Sequence, residues 1–167
     1  MRFFIEQVAI CPPNRAAAIE LLKFLGLTDW VDDLVTASGT VHGDKGCNVA
    51  SLAFNYQASR GFDGSGADER KPLELEVLSY NVGPNWMDKN PPSVSHFGMH
   101  CSEEELAEWR KKFKAAGIDV AQEVNTQTHL NPAIAGTRWY KYVIFDTRPV
   151  LGVDLKFIVR LPERRAS

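Results

Sequence analysis

Short segments of alternating apolar and polar residues run along most of the chain, and this spacing predicts β-strands. Gly-, Pro- and Asn-rich stretches separate them and predict turns. The predicted strands are 3–11, 48–56, 73–80, 93–101, 118–124, 137–146 and 152–160, with a further short strand inside 30–42. The stretches 57–70 and 126–136 are predicted loops, and Arg148 is assigned to a turn.

Two segments show the 3.6-residue spacing of helices. The first follows Asn14 as N-cap and ends near Gly26; the second begins at the capping box Ser102-x-x-Glu105 and ends near Gly117. The first apolar face comprises Ala18, Leu21, Leu22 and Leu25, and the second comprises Leu106, Trp109 and Phe113.

The order strand, helix and about three strands occurs twice, which indicates an internal duplication. The segment 5–11 aligns with 94–101, and in this alignment Gln7 matches His96. We therefore predict a first module over 1–82, a linker over 83–92, a second module over 93–160 and a tail over 161–167.

Composition narrows the classes of function. The 167 residues carry 19 basic and 21 acidic side chains, a net charge of −2, which argues against a nucleic-acid binder driven by counterion release. The sequence contains neither an apolar run of about 18 residues nor a recognisable signal peptide, so we expect no membrane association. The three cysteines, Cys11, Cys47 and Cys101, are typical of reduced thiols in a cytoplasmic protein.

Each predicted strand has one apolar face and one face that carries polar groups. On 73–80 the second face contains Glu74 and Glu76, and on 94–101 it contains His96. These faces either line one concave sheet as a ligand cleft or lie exposed to water.

The paired βαβββ pattern, the segment VSHFGMHCSEEELAEWRKKFKAAGI and LGVDLKFI near the end resemble the vicinal oxygen chelate superfamily, which includes glyoxalase I, extradiol dioxygenases and bleomycin resistance proteins. The resemblance covers roughly residues 3–160. It implies an α+β fold in which two tandem βαβββ modules form a half-open barrel-like cleft. It also implies a divalent metal (Zn, Ni, Mn or Fe) held by the first and last strands of both modules. The matching positions are Gln7, Glu76, His96 and Lys156.

Three of these side chains suit a metal. Neutral imidazole from His96, a carboxylate oxygen from Glu76 and an amide oxygen from Gln7 are all possible ligands. Each also has an ordinary structural interpretation, namely a hydrogen-bonded histidine, an ion-paired acid and a polar strand residue. Glu74 competes with Glu76 if the register differs, and Asp154 competes for the fourth position.

Lys156 stands where the family normally has Glu, four residues after Gly152. A charged ammonium has no lone pair and repels a divalent ion. Two interpretations stay open: Lys156 replaces the metal's charge and pairs with Glu76, or it lies at the rim with its head in water. Arg138 and Tyr140 share the predicted cleft face and are candidates to bind an anionic or aromatic ligand together with Lys156.

Three functions follow as hypotheses. The first is a glyoxalase-like, metal-dependent lyase or isomerase. The second is a metal-free protein of the bleomycin-resistance type that binds or sequesters a small molecule. The third is a non-catalytic interaction module. We expect a small-molecule ligand and a monomer or homodimer.

Overall fold

The computed structural model describes residues 1–57, 73–82 and 94–162, and these ranges form eight strands and three helices. The strands are β1 (Gln7–Ile10), β2 (Val31–Val41), β3 (Asp44–Asn55), β4 (Glu74–Val82), β5 (Val94–His100), β6 (Val120–Thr128), β7 (Trp139–Phe145) and β8 (Asp154–Leu161). The helices are α1 (Arg15–Phe24), α2 (Glu103–Ala115) and α3 (Arg148–Leu151).

The strands form one closed barrel of mixed parallel and antiparallel pairs in the order β1-β4-β3-β2-β6-β7-β8-β5. The predicted barrel-like mixture of helices and strands is thereby confirmed in its coarse form. The predicted half-open cleft is wrong, because β1 pairs with β5 and β2 pairs with β6. These two seams remove the free strand edges that a half-open sheet would leave.

The β2–β3 hairpin is longer than the sequence predicts. The expected short strand inside 30–42 is eleven residues long, and β3 begins at Asp44 rather than at 48. His42 and Gly43 connect the two strands with φ values of 48° and 86°. Positive φ at both central residues is the pattern of a type I′ turn, whose twist matches that of the flanking strands.

Asp33 secures the β2–β6 seam from a buried position. Its Oδ1 accepts backbone N–H groups from four residues, Leu34 (2.8 Å), His129 (3.1 Å), Leu130 (2.9 Å) and Asn131 (3.1 Å). The segment after β6 is thus tied to β2. Gly39 allows the same two strands to approach, because a Cβ there would lie 2.1 Å from the carbonyl oxygen of Glu123.

Two helices cover the outside of the barrel to different extents. Leu106 and Phe113 of α2 are buried against the aromatic side chains of β7 and β8, including Phe145 and Phe157, as the sequence predicts. On α1 the predicted apolar face is partly wrong. Ile19 is buried against the sheet and the predicted Ala18 and Leu22 pack beside it, whereas Leu21 and Leu25 are 60% and 65% exposed.

Other boundaries also differ from the predicted ones. β1 spans only Gln7–Ile10, β6 extends to Thr128 into a predicted loop, β8 reaches Leu161 in the predicted tail, and α3 occupies a predicted turn. The predicted linker 83–92 lies outside the described residues, as do most of the predicted loop 57–70 and the tail beyond 162. Among the described helices, none combines the length and apolar character that crossing a bilayer requires.

Candidate functional site in the barrel interior

Four residues predicted from separate strands converge inside the barrel. Gln7, Glu76, His96 and Lys156 are each at most 4% exposed. The register explains their meeting: β1 lies between β4 and β5, and β8 lies on the other side of β5. We call these four side chains the interior polar cluster.

His96 links the acid and the amide of the interior polar cluster. Its Nε2 lies 3.1 Å from Oε1 of Gln7 and 3.2 Å from Oε2 of Glu76, and both of these atoms are acceptors. Its Nδ1 lies 3.0 Å from the hydroxyl of Ser95, which donates to it. This pattern assigns the proton to Nε2.

Lys156 completes the interior polar cluster. Its Nζ donates to Oε1 of Gln7 at 3.1 Å and lies 3.5 Å from Oε2 of Glu76. The ammonium also lies 4.1 Å from the ring centroid of Tyr142, within the range of a cation–π interaction. Of the two interpretations that the sequence left open, the structure favours the buried pair with Glu76 over a lysine at the rim.

The charges in the cluster follow from these contacts. Burial acts to raise the pKa of Glu76, but the Lys156 ammonium and the hydrogen bond from His96 outweigh it and hold the pKa at about 2. Burial lowers the pKa of His96 to about 4, and the charge of Lys156 acts in the same direction. At neutral pH the cluster therefore contains one carboxylate, one ammonium and a neutral imidazole.

A second hydrogen-bond network holds the backbone next to His96. Arg148 donates from Nη2 to the backbone carbonyl of Ser95 at 2.9 Å, and its Nε lies 3.2 Å from Oδ2 of Asp154. The backbone N–H of Arg148 also donates to Asp154 at 3.0 Å. Asp154 is thus engaged with Arg148 and does not take the fourth position in the interior polar cluster.

Glu74, the register competitor of Glu76, lies beside the cluster. Its Oε1 accepts a hydrogen bond from Nε2 of Gln7. Burial, followed by the neighbouring charge of Glu76, raises the pKa of Glu74. The amide of Gln7 therefore connects Glu74 to His96 and Lys156.

The other two predicted binding residues lie farther out. Tyr140 is half-buried on β7, and its ring stacks on that of Tyr142 with centroids 6.1 Å apart. Arg138 precedes β7 and is exposed, so the structure does not bring it into the interior polar cluster.

A narrow cavity of about 30 Å³, measured as space open to the centre of a water molecule, borders Glu76, His96 and Lys156. That volume holds about two waters. The remaining lining residues are mainly aliphatic, together with Asn48, Tyr80, Gln122, Thr126 and Tyr142. Oε1 of Gln122 is buried and has no hydrogen-bond partner in the described part of the chain.

Gly98 leaves room for the side chain of Gln7. A Cβ at position 98 would lie 2.9 Å from Oε1 and 3.0 Å from Cβ of Gln7. Since Gln7 touches His96 and Lys156, this glycine positions the interior polar cluster.

The arrangement does not fit a divalent metal while Lys156 is charged. Oε1 of Gln7 and Oε2 of Glu76 face the ammonium, and Nε2 of His96 carries a proton instead of an open lone pair. In the ranges that the structure describes, there is no group of three or more His, Cys, Asp or Glu side chains placed to hold a metal ion.

Sequence reasoning missed three contributors to this site. Tyr142 falls within the predicted strand 137–146, but no signal marked it as the partner of Lys156. Arg148 was assigned to turn chemistry, and Gln122 lay in a strand without a distinguishing pattern. Tyr142 and Arg148 contribute through contacts with distant segments, and Gln122 lines the cavity.

A scan against protein-family models gives no match, and a search of curated proteins gives no significant match.

Proposed function

We propose that the chain is a metal-free small-molecule-binding protein on a vicinal oxygen chelate scaffold, built from modules over 1–82 and 93–160. The order β-α-β-β-β occurs in both halves, with α3 added before the last strand. The strands of each half are also contiguous in the barrel. Both observations support the proposed duplication.

The observation that carries the proposal is the position of the Lys156 ammonium. It lies 3.1 Å from Gln7 and 3.5 Å from Glu76, two of the residues that the resemblance assigns to a metal. A fixed internal cation neutralises Glu76, so the cluster needs no metal to balance its charge. Lys156 also stands in place of the glutamate whose carboxylate a glyoxalase-like mechanism would use as a general base.

The barrel interior supports ligand binding through its chemistry. Aliphatic walls, tyrosine rings and a few convergent polar groups are the usual composition of small-molecule sites. The unpartnered Oε1 of Gln122 offers an acceptor for a donor group on the ligand. Because the cavity holds only about two waters, a larger ligand enters through movement of the lining side chains.

The convergence of Gln7, Glu76 and His96 supports a second candidate, a divergent metal-dependent lyase of the glyoxalase type. This candidate requires Lys156 to lose its proton or leave the cluster. The two functions therefore differ in their response to metal.

Metal titration of the wild-type protein and the Lys156→Glu variant separates them. The metal-free proposal predicts less than about a tenth of an equivalent of Zn, Ni, Mn, Fe or Co in wild-type protein purified without chelator, and no thermal stabilisation on metal addition. Lys156→Glu should acquire metal-dependent stabilisation, because it adds an oxygen ligand and removes the repelling charge. Lys45→Glu, an exposed charge reversal in the β2–β3 hairpin, should not. Stoichiometric metal in wild-type protein would overturn the proposal in favour of the lyase.

A further inference from the structure

The interior contacts of Lys156 show how this barrel binds an ammonium group. The ammonium faces the ring of Tyr142, the carboxylate of Glu76 and the amide oxygen of Gln7. An aromatic face together with a nearby carboxylate is an established chemical solution for organic cations.

The same combination of a carboxylate and an aromatic ring recurs one level further along the barrel, at Glu74 and Tyr140. We call this level the outer layer. The pairings from β4 through β1, β5 and β8 to β7 contain two antiparallel steps, so β4 and β7 run in the same direction. Glu74 and Tyr140 therefore lie on the same side of Glu76 and Tyr142. Each is displaced by two residues, which is about 7 Å along a strand.

Tyr56 adds a second ring to this outer layer. It directly follows β3, and β3 pairs antiparallel with β4, so Tyr56 is displaced in the same direction as Glu74. Burial and then the neighbouring charge of Glu74 raise the pKa of the Tyr56 hydroxyl. Tyr56 is 43% exposed, which places the layer at a solvent-accessible end of the barrel.

The outer layer differs from the inner one in its balance of charge. Glu76 has Lys156 as its internal partner, whereas Glu74 forms no ion pair within 4.0 Å with a residue that the structure describes. In the described part of the chain its carboxylate accepts a hydrogen bond from the neutral amide of Gln7, and the charge of Lys156 acts on it from beyond 4.0 Å. Arg160, the register partner of Tyr140, is exposed, so water screens its charge.

Among the residues that the structure describes, an anionic ligand finds no equivalent partner in the interior. Lys156 is already paired with Glu76, and Arg138 is exposed and outside β7. The anionic ligand considered from the sequence is therefore disfavoured in comparison with a cation.

We propose that Glu74, Tyr56 and Tyr140 form a binding site for a small organic ammonium compound, with a primary or quaternary amine, at this end of the barrel. The inference rests on the proposed small-molecule-binding function and specifies the charge of the ligand. Glu74 supplies the counter-charge, and the two tyrosine rings supply cation–π surface.

Choline and its uncharged isostere 3,3-dimethylbutan-1-ol test this inference as matched probes in an NMR titration of the full chain. Choline should shift the resonances of Tyr56, Tyr140 and Glu74, and the uncharged isostere should bind at least about tenfold more weakly. Equal affinity for both probes would overturn the inference.

Four variants localise the site. Glu74→Gln and Tyr140→Leu should each weaken choline binding by about fivefold or more, whereas Tyr140→Phe keeps the ring and should retain most of the affinity. Glu20→Gln removes the same charge from the exposed face of α1 and should leave binding unchanged. Thermal melts establish that each variant is folded, and choline binding that is unchanged in folded Glu74→Gln and Tyr140→Leu would refute the site.

Benzoate, as an anionic probe, separates failure of this inference from failure of the proposed function. If benzoate or the uncharged isostere shifts Tyr142 and Gln122 while choline does not bind, the cation site is wrong and small-molecule binding stands. If none of the three probes shifts a residue of the barrel interior, both are rejected.

Discussion

Replacing Lys156 with Met removes the ammonium from the barrel interior while keeping most of the side-chain volume. Glu76 then loses a partner 3.5 Å away and stays buried at 2% exposure. At an effective dielectric constant of about 20, that charge pair is worth about 5 kcal/mol. Removing one partner of a buried pair costs roughly 3–5 kcal/mol, because the remaining charge is uncompensated.

We therefore expect Lys156→Met to lower the free energy of unfolding at pH 7 by about 3–5 kcal/mol. For a chain of this length the corresponding fall in Tm is roughly 6–20 °C. The assay is urea denaturation followed by circular dichroism. Lys141→Met is the matched control. Lys141 pairs with Glu103 at the surface, where such a pair is worth at most about 1 kcal/mol.

The pH dependence of the contribution that Glu76 makes to stability should also change sign. In the wild-type protein the pKa of Glu76 is lowered to about 2, so its stabilising contribution is present above its unfolded pKa and is lost as the pH falls towards 2. Without Lys156, we expect burial, the largest influence on Glu76, to outweigh the hydrogen bond from His96 and to raise the pKa of Glu76. Its contribution is then present at low pH and is lost as the pH rises through the raised pKa.

A double variant tests the coupling directly. Adding Glu76→Gln to Lys156→Met removes the unpaired charge, so at least about half of the lost stability should return. The reasoning is refuted if Lys156→Met costs no more than Lys141→Met, or if Glu76→Gln gives no recovery in the double variant.

Three further predictions concern His96, Gly98 and Asp33. Because the pKa of His96 is lowered to about 4, its contribution is present above its unfolded pKa of about 6.5 and is lost between pH 6.5 and 4; in urea denaturation at several pH values, His96→Gln should flatten that part of the profile. Gly98→Ala should cost about 1–3 kcal/mol through its clash with Gln7, and Gln7→Ala should relieve part of that cost in the double variant; additive losses would exclude the clash. Asp33→Ala leaves the backbone N–H groups of Leu130 and Asn131 without their acceptor and should cost about 2 kcal/mol or more, with faster hydrogen exchange confined to this seam; unchanged exchange there would contradict its role.

Local patterns were sufficient for the parts of the fold that depend on nearest neighbours. Alternation identified the β4, β5, β7 and β8 regions, and Ser102 with Glu105 marked the start of α2 through a capping box that the structure contains. The same alternation placed Glu76 and His96 on the polar faces of their strands and left open whether those faces line a cleft or lie exposed to water. Their convergence followed from the resemblance, which assigned them to matching strands.

The remaining features depend on contacts between distant segments. Closure of the barrel arises at the β1–β5 and β2–β6 seams, which join residues about 90 positions apart. The choice of Glu76 over Glu74 follows from the two registers that pair Ala9 with both Glu76 and His96, which alternation alone does not determine. The helix α1 was misjudged because Leu21 and Leu25 fit a helical period but lie off the face that contacts the sheet.

The central claim is that the ammonium of Lys156, rather than a metal ion, neutralises Glu76 in the barrel interior. A crystal structure of the wild-type protein grown with excess Zn²⁺, with anomalous diffraction collected at the zinc edge, tests it most directly. The account predicts continuous side-chain density from Lys156 to Gln7 and Glu76 and no anomalous peak at Nε2 of His96. An anomalous peak bound by Gln7, Glu76 and His96, with Lys156 turned away, would contradict it.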